Sequence, residues 1–128
     1  MSARFEINGV ELVVDTNVLI NLAEGKPGLD QYVNGNRLYV SSITEIELLG
    51  WYKITKEQVA FFTLLLSDCK IVGLKSEVKK LAIGLKQKQK VRLPDAIIAA
   101  TSLYLDLPLV TYDSGFEKIK NENLILLS

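Results

Sequence analysis

The chain has 128 residues, enough to bury one hydrophobic core but short for two. Hydrophobic residues make up 48% and charged residues 23%, an ordinary globular balance with no signature of disorder. The 15 lysines and arginines balance 15 acids, so net charge is +0 and attraction to a polyanion or a membrane needs a local patch.

Two absences narrow the chemistry. There is no histidine, which removes His-based acid–base catalysis, Ser-His-Asp triads and any zinc site that needs imidazole. The single cysteine, Cys69, rules out an intramolecular disulfide and fits a reducing compartment. The opening MSARFEING holds charges and no apolar stretch of signal-peptide length, and the apolar run 59–66 is too short to span a bilayer and is broken by Thr63. The expectation is a soluble, cytoplasmic protein with no membrane partner.

In chain order, FEINGVELVV has two apolar runs around Asn8-Gly9, a dipeptide suited to a hairpin turn because both residues tolerate positive φ. Residues 1–9 read as an N-terminal extension or edge strand. Residues 10–14 read as a buried strand ending at Asp15, and Val18, Leu19, Leu22 and Ala23 then have helical spacing up to Gly25-Lys26-Pro27. A short helix is expected over 29–33 and a second strand at 38–40. Ser41-Ser42 opens a helix through Ile43, Ile46 and Leu49, and Thr55 is a candidate cap for a helix reaching Leu66. A third strand at 70–74 precedes a lysine-rich helix from Ser76. Leu93-Pro94 opens an apolar helix, with proline well tolerated in the first turn. Short strands at 109–111 and 124–127 complete the pattern. Strands alternating with helices predict one α/β domain, a three-layer sandwich around a mostly parallel sheet, with its crevice beyond the carboxyl ends of the strands.

Four acids stand where such a crevice would form, and each has a plainer explanation. Asp15 ends the first strand and would cap the next helix. Glu45 and Glu47 are two apart, so on a helix they point roughly 200° from one another and at most one faces a pocket. Ser42-x-x-Glu45 and Thr44-x-x-Glu47 both have capping-box form; with Ser42 as the cap, Glu47 is left for function. Asp95 in RLPDAIIAATS suits the positive end of a helix dipole, yet its helix is almost wholly apolar. Asp113-Ser-Gly is ordinary turn chemistry. Taken together, the four acids offer hard oxygen donors of the kind Mg²⁺ prefers, and a bound cation would offset their mutual repulsion.

In VVDTNVLI, SSITEIELLG, LPDAIIAATSLYLDLPLVT and TYDSGFEKI, in this order and over nearly the whole chain, the sequence resembles the PIN-domain family, most closely its single-domain VapC-type toxins. The resemblance implies a PIN-like fold and an endoribonuclease favouring single-stranded RNA, dependent on Mg²⁺ or Mn²⁺. It also implies an in-line attack by metal-activated water that leaves a 5′-phosphate and a 3′-hydroxyl. Asp15, Glu47, Asp95 and Asp113 would then be the catalytic, metal-ligating set. Asn17 would orient the first acid, and Thr111 would bond near the metal or a ligating carboxylate. A homodimer and a cognate antitoxin protein are the implied partners besides RNA. Two departures stand out: Gly115 lies where many relatives have a further acid, and the start before Val10 is longer than usual.

Between Lys75 and Arg92 seven basic residues face one acid, Glu77, which is either a solvated helix face or a phosphate track with Lys90 and Arg92 nearest Asp95. Trp51, Tyr52, Phe61 and Phe62 could stack bases, but core or interface roles are commoner, and a groove between their helices would suit an amphipathic antitoxin segment. Cys69 reads as a small buried residue. A haloacid-dehalogenase-type phosphatase would need an acid where Asn17 stands, and a receiver domain would need an early acidic pair and a mid-chain aspartate that this sequence lacks. A non-catalytic RNA- or protein-binding module and a housekeeping RNA-processing nuclease share the same motifs.

Overall fold

In the computed structural model, residues 9–119 and 123–128 are described. The chain alternates strand and helix: β1 (Glu11–Val14), α1 (Thr16–Ala23), α2 (Asp30–Val33), β2 (Arg37–Ser41), α3 (Ser42–Leu49), α4 (Lys56–Ser67), β3 (Lys70–Val72), α5 (Ser76–Lys88), α6 (Leu93–Leu105), β4 (Leu109–Thr111) and β5 (Leu124–Leu126). A 3₁₀ helix, Ser114–Ile119, follows β4 where the sequence suggested only a turn. The sheet order is β3-β2-β1-β4-β5, and every pairing among the described residues is parallel. The expected α/β sandwich is therefore present, with its five strands all running one way.

Strand alternation divides the core into two layers. Val13 joins Val78 and Ala82 of α5, Ala96 to Ala100 of α6, Leu109 and Phe116 on one face. Its neighbours Leu12 and Val14 join Val18 and Leu19 of α1, Leu48 of α3, Phe62 and Leu66 of α4, and Val110 on the other. The order matters for the site: β1 lies at the centre with β2 and β4 on its flanks, so the carboxyl ends of three strands meet at one place.

Local chemistry explains most boundaries. Gly9 has φ +78° and donates its N–H to Gly35 O at 2.9 Å, as a turn residue does; the strand expected before Asn8 lies outside the described residues. Thr55 and Gln58 form a reciprocal capping box on α4. Neither capping box offered for α3 forms. β2 runs straight into that helix, and Ser41 is the cap, its hydroxyl accepting from Ile43 N at 3.1 Å. Pro94 occupies the first turn of α6, and Asp106, with φ 55°, ends that helix in a left-handed conformation. Cys69 is half-buried and its thiol donates to Leu65 O. Burial pushes that thiol up to about 11, leaving it inert as a nucleophile.

Candidate functional site

The site grows from the end of β1. Asp15 caps α1, its Oδ1 accepting from Thr16 N at 2.8 Å. Parallel pairing of Val14 with Val110 brings the end of β4 alongside, and Thr111 Oγ1 donates to Asp15 Oδ2 at 2.7 Å. The Thr111 hydroxyl also accepts from Asp113 N at 3.0 Å, so one side chain ties the first acid to the loop carrying the fourth. Asp15 is only 5% exposed. Burial pushes its carboxyl up to about 6, against the opposing hydrogen bonds from Thr111 and Thr16, and the charges of Asp95 and Glu47 push the same way.

Glu47 comes from α3. Its Oε1 lies 2.6 Å from Thr16 Oγ1, which is itself 3.0 Å from Thr44 Oγ1. A carboxylate can only accept, so the single Thr16 proton goes to Glu47 and the Thr44 hydroxyl turns its own proton toward Thr16. Asp95 stands in the first turn of α6, and Arg92 three residues earlier donates from Nε to Asp95 Oδ2 at 3.1 Å. Asp113 Oδ1 accepts from Gly115 N at 2.8 Å, closing the turn that the sequence suggested. A Cβ at Gly115 would stand 2.9 Å from that same oxygen, so any larger residue there requires the Asp113 carboxylate to shift.

All four acids line one cavity of about 1130 Å³, together with Thr16, Asn17 and Arg92. Ile20, Ile46, Trp51, Phe61 and Phe62 form the apolar part of its wall. Among the described residues, however, no three acidic or thiol side chains come close enough, as oriented, to enclose an ion. Asp95 is turned to Arg92, Asp113 to its own turn and Glu47 to Thr16. The donor chemistry still suits Mg²⁺ or Mn²⁺. Such ions are content with one or two carboxylates and fill their other positions with water and phosphate, and a buried aspartate crowded by two like charges is relieved by a cation.

The predicted supporting residues divide. Thr111 bonds Asp15, one of the four acids. Asn17 does not bond Asp15: its Oδ1 accepts from Tyr112 N at 3.3 Å and its carbonyl holds Asn21. It thus fastens the first turn of α1 to the residue that follows β4. Sequence reasoning missed Thr16 and Thr44. The DTN tripeptide placed a hydroxyl beside Asp15, but its pairing with Glu47 across 31 residues shows only in three dimensions.

A smaller cleft of about 540 Å³ adjoins the cavity and shares Arg92, Asp95 and Asp113 with it. Lys86, Lys90 and Lys118 line the cleft, so Lys90 is next to the acids without entering their cavity. Of the aromatic residues, Trp51 is 48% exposed on the cavity wall, while Tyr52 lies outside it, beneath Lys53. Phe61 and Phe62 pack edge to face, the first exposed and the second in the core.

No curated protein matches the chain. Solved structures do. A toxin–antitoxin complex from Klebsiella pneumoniae aligns at 29% identity and TM-score 0.77, over 89% of this chain and 95% of that one. VapBC from Salmonella typhimurium, bound to DNA, aligns at 21% identity and TM-score 0.76, over 91% and 97%. VapBC-1 from nontypeable Haemophilus influenzae aligns at 21% and TM-score 0.73, again over 91% and 97%. The last two likenesses are likenesses of fold. No helix among the described residues is long and apolar enough to cross a membrane. The profile of the PIN domain matches residues 12–122, from the first core residue of β1 to the threshold of β5, and the chain belongs to that family.

Proposed function

We propose that the chain is a Mg²⁺- or Mn²⁺-dependent endoribonuclease acting on single-stranded or looped RNA, and the toxin of a toxin–antitoxin pair. One observation carries the nuclease reading: Asp15, Glu47, Asp95 and Asp113, drawn from four separate parts of the chain, line a single cavity at the carboxyl ends of a parallel sheet. In this reading the four acids hold the metal directly or through water. When bound, the ion supplies a more acidic water and neutralises charge on the phosphate. Thr111 fixes the direction of the Asp15 carboxylate, Thr16 does the same for Glu47, and Arg92 and Lys90 hold the RNA backbone without reading its sequence.

The antitoxin part of the proposal rests on the rest of the cavity wall. Ile20, Ile46, Trp51 and Phe61 form an exposed apolar stripe, rimmed by Glu24 and Glu57 as well as by the catalytic acids. That combination suits a segment with an apolar face and basic residues. The similar structures from Klebsiella, Salmonella and Haemophilus were solved as toxin–antitoxin complexes, in keeping with such a segment.

The test is cutting of mixed single-stranded RNAs by purified protein with Mn²⁺ or Mg²⁺, with and without EDTA, beside Asp15→Asn and Asp95→Asn. Cutting that is lost with EDTA and in both variants supports the reading. Cutting that survives either removal overturns the mechanism, and protein that binds RNA without cutting it favours a binding module.

A further inference from the structure

Arg92 holds a position that touches both the acidic cavity and the basic cleft. Its Nε donates to Asp95 Oδ2 at 3.1 Å, and it lines both spaces. Its side chain is 78% exposed, against 18% for Asp95, so the guanidinium stands open to solvent and to an incoming anion while the carboxylate is largely covered. Among the described residues, the bond to Asp95 is the one side-chain hydrogen bond and ion pair that holds it. Beside it the cleft offers Lys86, Lys90 and Lys118, but the Lys86 ammonium is already given to Val91 O at 2.8 Å. An RNA phosphate entering the cleft therefore meets Lys90, Lys118 and an exposed guanidinium that Asp95 bonds and that the charges of Asp113 and Glu47 also attract, and a guanidinium matches a phosphate as well as it matches a carboxylate.

Resting on the nuclease reading, we infer that Arg92 is an exchangeable counter-ion. In the free protein it pairs with Asp95 and holds that carboxylate, one of three acids of the cavity that are each turned to a partner of their own. A phosphate in the basic cleft draws the guanidinium across, and Asp95 is released for the metal. Arg92 is thus a positioning residue that makes metal binding conditional on nucleic acid. Linkage requires the reverse as well: metal on the acids frees Arg92 for phosphate, and the two ligands strengthen one another by the same factor.

The experiment measures Mn²⁺ binding by electron paramagnetic resonance, with and without single-stranded oligothymidylate, for the wild type, Arg92→Gln and Lys90→Gln. The inference expects Arg92→Gln to bind Mn²⁺ about threefold to tenfold more tightly than the wild type when no oligonucleotide is present, the range set by losing one exposed ion pair and one nearby cation. Oligothymidylate is expected to tighten Mn²⁺ binding in the wild type and to do so less in Arg92→Gln. Lys90→Gln, which removes a charge from the cleft without freeing an acid, is expected to leave metal affinity in the absence of oligonucleotide near the wild-type value. Unchanged or weaker Mn²⁺ binding by Arg92→Gln overturns the inference, as does equal tightening by Lys90→Gln, which would reduce the effect to general field strength. A wild type that binds no Mn²⁺ in either condition overturns the nuclease reading itself, and the inference with it.

Discussion

Asp15 ends a strand, caps a helix and stands at the centre of the acidic group, all within one buried side chain. Its carboxyl, pushed up to about 6 from an ordinary 3.8, gives the folded protein an affinity for protons that the unfolded chain lacks. Between those values the native state binds more protons, so metal-free stability is expected to fall as pH rises from about 4 to about 6 and to level off above, by on the order of 2–3 kcal/mol in all. Urea melts across that range check the slope. Asp15→Asn removes the buried charge and keeps an acceptor for Thr16 N, so it is expected to abolish RNA cutting while flattening that pH dependence and raising stability at neutral pH. A variant that loses both activity and stability contradicts this account. Raising Mn²⁺ from a limiting to a saturating concentration is expected to shift the acid limb of the cutting profile to lower pH, since a cation favours the ionised carboxylate. Thr16→Val leaves Glu47 and Thr44 without their shared hydroxyl; a loss on the order of 1–2 kcal/mol is expected, with a fall in cutting at saturating metal. Residue by residue, Asp15, Asp95 and Asp113 stood out in the sequence because each lies at the boundary of an element, and Glu47 because the capping reading left it over. The direction of Asn17 and the part played by Thr16 were not, because both depend on which strand or helix lies next door.

At the level of elements, caps and turns decided most of what the sequence could tell. The Thr55–Gln58 box announces α4 outright, and Thr55→Ala is expected to cost about 1 kcal/mol in thermal or urea melts while leaving RNA cutting intact, because neither capping side chain bonds an acid of the site. The start of α3 was harder. Serine, serine and threonine within four positions each propose a cap, and the choice fell to Ser41 only because β2 continues to that residue and leaves no loop between strand and helix. That early start fixes the helical phase and turns Glu47 toward the cavity. The 3₁₀ helix after Asp113 escaped prediction for a related reason: Asp-Ser-Gly marks a turn, and the path of the chain beyond it is decided by Phe116 and Ile119 seeking the core. The parallel sheet was foreseeable from alternating strands and helices, but its order was not, since spacing alone does not say which strands become neighbours.

For the molecule as a whole, a net charge of zero conceals a division of labour. Acids gather in one cavity and lysines in the cleft beside it, with Arg92 on their shared wall. RNA binding is therefore expected to weaken steeply with salt despite the neutral total. Lys90→Gln is expected to reduce the slope of log affinity against log salt by about one, measured by fluorescence anisotropy without metal; an unchanged slope would remove Lys90 from the RNA path. The apolar stripe of Ile46, Trp51 and Phe61 makes a separate demand, because surfaces of this kind invite a partner or self-association. The bond between Thr111 and Asp15 spans 96 residues, and it has a meaning for the order in which the protein is made. A growing chain that has passed α5 already carries Asp15 and Glu47 but has no β4 to set beside β1. Its first acid lacks the hydroxyl that aims it, and its third and fourth acids do not yet exist. A ribosome translating this protein therefore carries only half of the acidic group until α6 and β4 have been made. The four acids can line one cavity only once β4 is paired with β1.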